Sequence, residues 1–173
     1  RQIEKDSTLI GLTAIEDRLQ SGVQETIAML RDAGIKVWMV TGDILPTALK
    51  ISFSTQLIQN DGKIIDLSKR DANISIETML SSSLRYVKQE QSKDSNFNYY
   101  LTLHGTSKSA SLVEFLSPTH RETFQELAAG AKCVVVSQAT PSQKAEIVEC
   151  IKEIGKTVLA IGDGGNDIPK IGR

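Results

Sequence analysis

What most constrains this chain is an alternation repeated along its length: a short apolar run, a polar turn that ends it, then a stretch with helical spacing. "IKVWMVTGD" runs apolar from Val37 to Val40 without the every-other-residue pattern of a strand that has one wet face, so it predicts a strand covered on both faces. A helix over about 45–57 follows it, completing half of a βαβ unit. "KCVVVSQ" reads as a buried strand, "TPSQKAEIVECIKEIG" as a helix, and "KTVLAIGDG" as the last strand. Strands alternating with helices predict an α/β fold, a parallel sheet with helices on both faces.

The remaining segments fill in that frame. "STLIGLTAIED" (7–17) holds a short strand candidate. In the helix that follows, Val23, Ile27 and Leu30 recur at i, i+4 and i+7, and Gly34 stands where a left-handed glycine ends a helix. "IQNDGKIIDL" reads as a hairpin turning at Asp61-Gly62. Residues of about 60–98 are polar and read as a surface insertion with a helix around 74–87, mobile at "QEQSKDSN". "YYLTLHG" is a strand, and "SPTHRETFQELAAG" a helix. The chain reads as one domain, 1–173, with both ends cut inside a longer protein.

Composition removes several classes of function. Twenty basic residues against twenty-one acidic ones leave a net charge of −1, so no nucleic-acid footprint is expected. Two cysteines, Cys133 and Cys150, form no C-x-x-C or disulfide framework and fit a reducing compartment. His104 and His120 have no partner at metal-ligand spacing, and Trp38 sits within an apolar strand as a core residue would.

In a parallel sheet, ligands bind beyond the carboxyl ends of the strands. Three polar motifs fall there: Thr41-Gly42-Asp43, the "SQATP" turn leading into Lys144, and "GDGGND" over 162–167. Thr41 and the free N–H groups of its turn suit phosphate oxygens, although Thr and Asp are also ordinary helix caps. In "TPSQK", Thr140, Pro141 and Gln143 are explained by helix initiation as a capping box, which leaves Lys144. A side chain in the first turn leans toward the helix N-terminus, so the Lys144 ammonium falls at the sheet edge as a point charge for a phosphoryl group. Asp163 ends a strand, with Asn166 and Asp167 three and four residues on. Carboxylates with water and substrate phosphate are what Mg2+ prefers, and Asn166 can donate to a phosphate oxygen. Neither "GDGGND" nor "GTSKS" (105–109) has the spacing of a dinucleotide or P-loop motif.

The ordered set TGD, TP-x-Q-K and GDG-x-ND resembles the phosphorylation domain of P-type ATPases, within the haloacid dehalogenase-like superfamily. "GLTAIEDRLQSGVQETIAMLRDAGIKVWMVTGD" is similar to the stretch preceding TGD in phospholipid-transporting flippases. The resemblance spans about 7–58 and 131–171. It implies a Rossmann-like three-layer sandwich lacking the strand that carries the nucleophile. It also implies a phosphate and nucleotide site at Thr41, Gly42, Asp43, Lys144 and Asn166, with Lys144 and Thr41 catalytic and Asp163 and Asp167 on Mg2+. ATP would be the substrate of the full-length protein, which would lie at the cytosolic face of a membrane and reach its phospholipid cargo through segments this chain does not hold. The resemblance does not identify an accessory subunit. The family's acceptor aspartate lies in D-K-T-G-T, a motif not found in these 173 residues, so the isolated chain is expected to be inactive. Ile44 replaces the Lys or Asn that usually follows TGD, and Gln138 replaces the Arg before Thr-Pro. The rivals are a P-type cation pump, a free-standing phosphatase of the superfamily, and a non-catalytic module binding magnesium or phosphate.

Overall fold

The structure is a computed structural model that describes residues 8–14, 18–69, 71, 73–106 and 110–172. In chain order the elements are α1 (Val23–Asp32), β1 (Met39–Val40), α2 (Leu45–Ser54), β2 (Gly62–Asp66), α3 (Ile76–Lys93) and β3 (Asn98–His104). Then come α4 (Leu112–Phe115), α5 (Arg121–Gly130), β4 (Cys133–Ser137), α6 (Pro141–Glu153), a 3-10 turn Gly165–Asp167 and α7 (Ile168–Ile171). The four strands form one all-parallel sheet in the order β1-β4-β3-β2. This is the α/β parallel sheet the alternation predicts, and it is consistent with the Rossmann-like arrangement the resemblance implies.

Side chains on the central strands alternate between two cores, which is why helices lie on both faces. Tyr99, Leu101 and Leu103 of β3 and Val134 and Val136 of β4 point into one core, closed by Leu80, Phe124, Leu127 and Ile147 of α3, α5 and α6. Tyr100, Cys133 and Val135 point into the other, closed by Ala48 of α2 with Leu57 and Ile58 behind it. All five residues of β4 are buried, as a strand with two covered faces requires. Trp38 packs half-buried against the first core.

Several expectations change. The Asp61-Gly62 pair is not a hairpin turn: β2 is a single edge strand that pairs parallel to β3, with Gly62 opposite Asn98. Gly62 is there for close approach, since a Cβ would strike the Asn98 backbone carbonyl. Asp61 takes hydrogen bonds from Lys132 Nζ (2.6 Å), Tyr100 Oη (2.6 Å) and Asn98 Nδ2 (3.1 Å), which join the starts of β2, β3 and β4. Its pKa is lowered despite the cost of burial, because the Lys132 and Tyr100 hydrogen bonds favour the charged form. Helix α3 runs through the QEQSK segment to Lys93 and buries Ile76, Leu80 and Val87.

Two strand candidates do not form. "KTVLAIG" (156–162) has no strand partner among the described residues, and Leu159 and Ile161 stand 84% and 78% exposed. An apolar run becomes a strand only where a neighbour takes its N–H and C=O groups, and β1 pairs with β4 alone. Likewise 8–14 has no regular structure, and Leu9, Ile10 and Leu12 are exposed; Ser7 and residues 15–17 lie outside the described residues. Among the described residues no helix is long and apolar enough to cross a membrane.

Candidate functional site

The site is assembled by hydrogen bonds that knot three strand ends together. After β1, Thr41 N–H donates to Val136 C=O (2.9 Å), so the ladder with β4 continues past the last strand residue. Gln138 then adopts a left-handed backbone, φ +48°. This uncommon conformation for a non-glycine residue accompanies two further bonds: Gln138 N–H to Asp43 C=O (2.8 Å) and Ala139 N–H to Thr41 C=O (2.9 Å). The TGD loop and the "SQAT" turn are thereby fastened side by side. Position 138, where the resemblance leads one to expect an Arg, is where the chain turns.

Within TGD, Thr41 Oγ1 donates to Asp43 Oδ2 (3.0 Å) and accepts from Asp43 N–H (3.1 Å). Neither residue caps α2. The N-cap is Ile44, which has no side-chain bond to offer, and Pro46 occupies the first turn. Helix initiation thus does not account for Thr41 and Asp43. Gly42 and Asp43 are exposed and Thr41 is half-buried, which leaves this loop open to solvent.

The start of α6 follows the expected capping box. Thr140 Oγ1 accepts from Gln143 N–H (3.3 Å), and Gln143 Oε1 accepts from Thr140 N–H (2.9 Å). Gln143 also donates from Nε2 to Gly105 C=O (2.6 Å), tying α6 to the end of β3. Gly105 is required there, because a Cβ would meet Gln138 O, Ala139 Cα and Gln143 Oε1. Sequence reading had assigned Gln143 to the cap alone.

Lys144 is buried, 4% exposed, and its Nζ donates to Asp167 Oδ1 at 2.7 Å. Asp167 N–H bonds Gly164 C=O (2.9 Å), closing the 3-10 turn, and Gly162 has no room for a Cβ because the Asp167 carboxylate lies against it. A second ammonium, Lys170 Nζ, reaches the same Oδ1 at 3.0 Å and donates to Ile161 C=O at 2.8 Å. The hydrogen bonds from Lys144 and then Lys170 bring the Asp167 pKa down to about 2. The GDGGND turn is thus joined to α6, and α6 through its cap to β3 and β4. Asp163 and Gly165 are exposed, while the Asn166 side chain lies outside the described part of the molecule.

Sequence reading missed Lys170. The available signal was its i, i+3 spacing from Asp167 across a short helix. His104, at the end of β3, has a buried Nδ1 without a hydrogen-bond partner among the described residues, while His120 Nδ1 lies 3.1 Å from both Ser117 Oγ and Glu114 O. In "GTSKS", residues 107–109 lie outside the described residues.

Could these residues hold Mg2+? Among the described residues no group of three or more His, Cys, Asp or Glu converges. Mg2+ does not need one, since it is commonly held by one or two carboxylates with water and substrate phosphate. Asp163 offers an exposed hard oxygen, whereas Oδ1 of Asp167 already accepts from two lysines. The donor chemistry fits, with Asp163 the more available carboxylate.

No family model matches the chain. It is 39% identical over 180 residues to Phospholipid-transporting ATPase 2 of Arabidopsis thaliana, covering 99% of this chain and 15% of that protein. It is 37% identical over 171 residues to Phospholipid-transporting ATPase C887.12 of Schizosaccharomyces pombe, with 98% and 13% covered. To the probable phospholipid-transporting ATPase DNF3 of Saccharomyces cerevisiae it is 38% identical over 173 residues, with 98% and 10% covered. The chain therefore spans between 10% and 15% of the length of these relatives. Matching them over nearly its whole length, the chain belongs to the phospholipid-transporting P-type ATPase family, as the counterpart of one segment of those proteins.

Proposed function

We propose that this segment supplies the phosphate- and magnesium-binding part of an aspartyl-phosphate site that couples ATP hydrolysis to phospholipid translocation in a longer protein. The observation that carries the proposal is a pair of links made through one turn and its helix: the TGD loop is bonded to the 138–139 turn that leads into α6, and the buried Lys144 of α6 is bonded to Asp167 of the GDGGND turn. Lipid rather than ion as cargo rests on the names of the relatives. The acceptor aspartate, absent from these residues as a D-K-T-G-T motif, would come from elsewhere in the protein. ATP, phospholipid and the cytosolic face of a membrane enter as properties of that whole protein.

Phosphoryl transfer asks mostly for positioning and charge neutralisation. Lys144 is held by Asp167 and brings positive charge to the transferred group. The exposed backbone around Gly42 would give hydrogen bonds to its oxygens, joined by the Thr41 hydroxyl once it exchanges Asp43 for a phosphoryl oxygen, with Asn166 as a further donor. Asp163, assisted by Asp167, would hold Mg2+, which when bound screens the charge on the phosphoryl oxygens. Because Asp167 is already ionised and paired, it keeps Lys144 in place without taking up a proton near neutral pH.

Labelled ATP tests the assignment. The full-length protein should form an acid-stable phosphoenzyme whose labelled peptide maps outside residues 1–173, while the isolated chain takes up no label. Stoichiometric label on an aspartate within 1–173 would refute the assignment of the acceptor.

A further inference from the structure

Among the described residues, Lys170 is the one cation whose contacts bracket the GDGG turn. Its ammonium donates to Ile161 C=O at 2.8 Å, before the turn, and lies 3.0 Å from Asp167 Oδ1, after it. Its side chain is 11% exposed and that of Asp167 10%, so both are withdrawn from water. Lys144 takes the same carboxylate oxygen at 2.7 Å.

We infer that Lys170 is a positioning residue of the phosphate site, acting through Asp167: it closes the 161–167 turn and shares the carboxylate so that one positive charge stays uncompensated for a phosphoryl group. The inference rests on the site proposed above. Its physical basis is a count of charge in a space largely withdrawn from water. A lone Lys144–Asp167 pair is neutral, and a carboxylate 2.7 Å from the ammonium cancels most of the attraction Lys144 offers an approaching anion. With Lys170 on the same oxygen, two ammonium groups face one carboxylate. Asp167 then holds both cations in place, and the cluster carries a net charge of +1. The fit of Gly162 against Asp167 leaves the carboxylate little freedom to swing away.

The charge can be separated from the tether. In Lys170→Gln a neutral amide keeps the capacity to hydrogen-bond both acceptors. In Lys170→Arg the charge is kept and the donors are reshaped. Lys144→Met tests the site itself. The probe is inorganic phosphate, and the readout is hydrogen–deuterium exchange of the 157–170 peptide in the full-length protein, with the 98–104 strand as a folding control. Phosphate should protect 157–170 in wild type. The half-protecting concentration should rise about tenfold in Lys170→Gln, as expected for losing one unit charge a few ångströms from a bound anion in a partly shielded site. Lys170→Arg should stay within about threefold of wild type, and raising the salt should narrow the difference between Gln and wild type. If Lys170→Gln matches wild type while Lys144→Met is weakened, Lys170 is only a tether and the inference is wrong. Where wild type shows no protection or Lys144→Met binds normally, the phosphate site itself fails. Should Lys170→Gln lose the folding control, Lys170→Met carries the same comparison against Lys170→Arg.

Discussion

Gln143→Ala tests whether the capping box at α6 is what sets the site. Gln143 is 5% exposed and spends both ends of its amide: Oε1 on Thr140 N–H (2.9 Å) and Nε2 on Gly105 C=O (2.6 Å). Truncation leaves Thr140 N–H without its cap, a loss of about 1 kcal/mol. It also leaves the buried Gly105 carbonyl unsatisfied, at about 1–3 kcal/mol. The expected destabilisation is therefore about 2–4 kcal/mol, read as a shift in urea midpoint at unchanged slope. Gln143→Glu isolates one bond, because it keeps an acceptor for Thr140 N–H but sets an oxygen against Gly105 C=O. Thr140→Ala alone should cost about 1 kcal/mol, and the double variant should lose less than the sum, since the two residues share the box. A loss below about 0.5 kcal/mol for Gln143→Ala, or strict additivity with Thr140→Ala, would refute the reasoning.

Three further outcomes follow from the same contacts. Gly105→Ala should destabilise by about 1–3 kcal/mol or more, because the added methyl meets backbone atoms of Gln138 and Ala139 that cannot rotate away; an unchanged melting temperature would contradict this. Asp167, lowered from its ordinary 3.8 to about 2, contributes stability that is present above the higher value and lost as pH falls toward the lower one. Asp167→Asn should thus flatten the stability profile between about pH 4 and pH 2, and an unchanged acid limb would remove Asp167 from the ion cluster. Burial pushes the Cys133 thiol up to about 12 and also raises Cys150, so neither should alkylate at pH 8 until the chain unfolds; rapid native-state labelling would show the strands open more readily than described.

How far the sequence foretold this molecule depends on whether a feature is local. The unbroken apolar run at Cys133–Ser137 identifies a strand covered on both faces, and Thr140-Pro141-x-Gln143 identifies a helix start, because each pattern contains its own cause. Gly34, at φ +78°, ends α1 as its position suggests. Features needing a distant partner were not legible. The 156–162 run has strand composition, but a strand exists only with a neighbour to pair with. Asp61-Gly62 has turn composition, yet the aspartate is held by Lys132 and Tyr100, far along the chain, and the glycine admits Asn98. At the site, the TGD and SQAT segments follow β1 and β4 as read, whereas Asp163 follows no strand among the described residues. The bond from Gln143 to Gly105 and the sharing of Asp167 by two lysines depend on packing that no spacing encodes.

The central claim is that GDGGND is a metal and phosphate turn rather than a tight loop, and the magnesium dependence of phosphoenzyme formation tests it most directly. In the full-length protein, Asp163→Asn removes a hard anionic oxygen while nearly preserving shape, so it should raise the magnesium requirement sharply or abolish phosphorylation. Lys144→Ala should instead lower the rate at saturating magnesium by about 10²–10³, the usual cost of one electrostatic contact to the reacting group, with the metal requirement closer to normal. A wild-type magnesium titration for Asp163→Asn, together with turnover within about twofold of wild type for Lys144→Ala, would contradict the account.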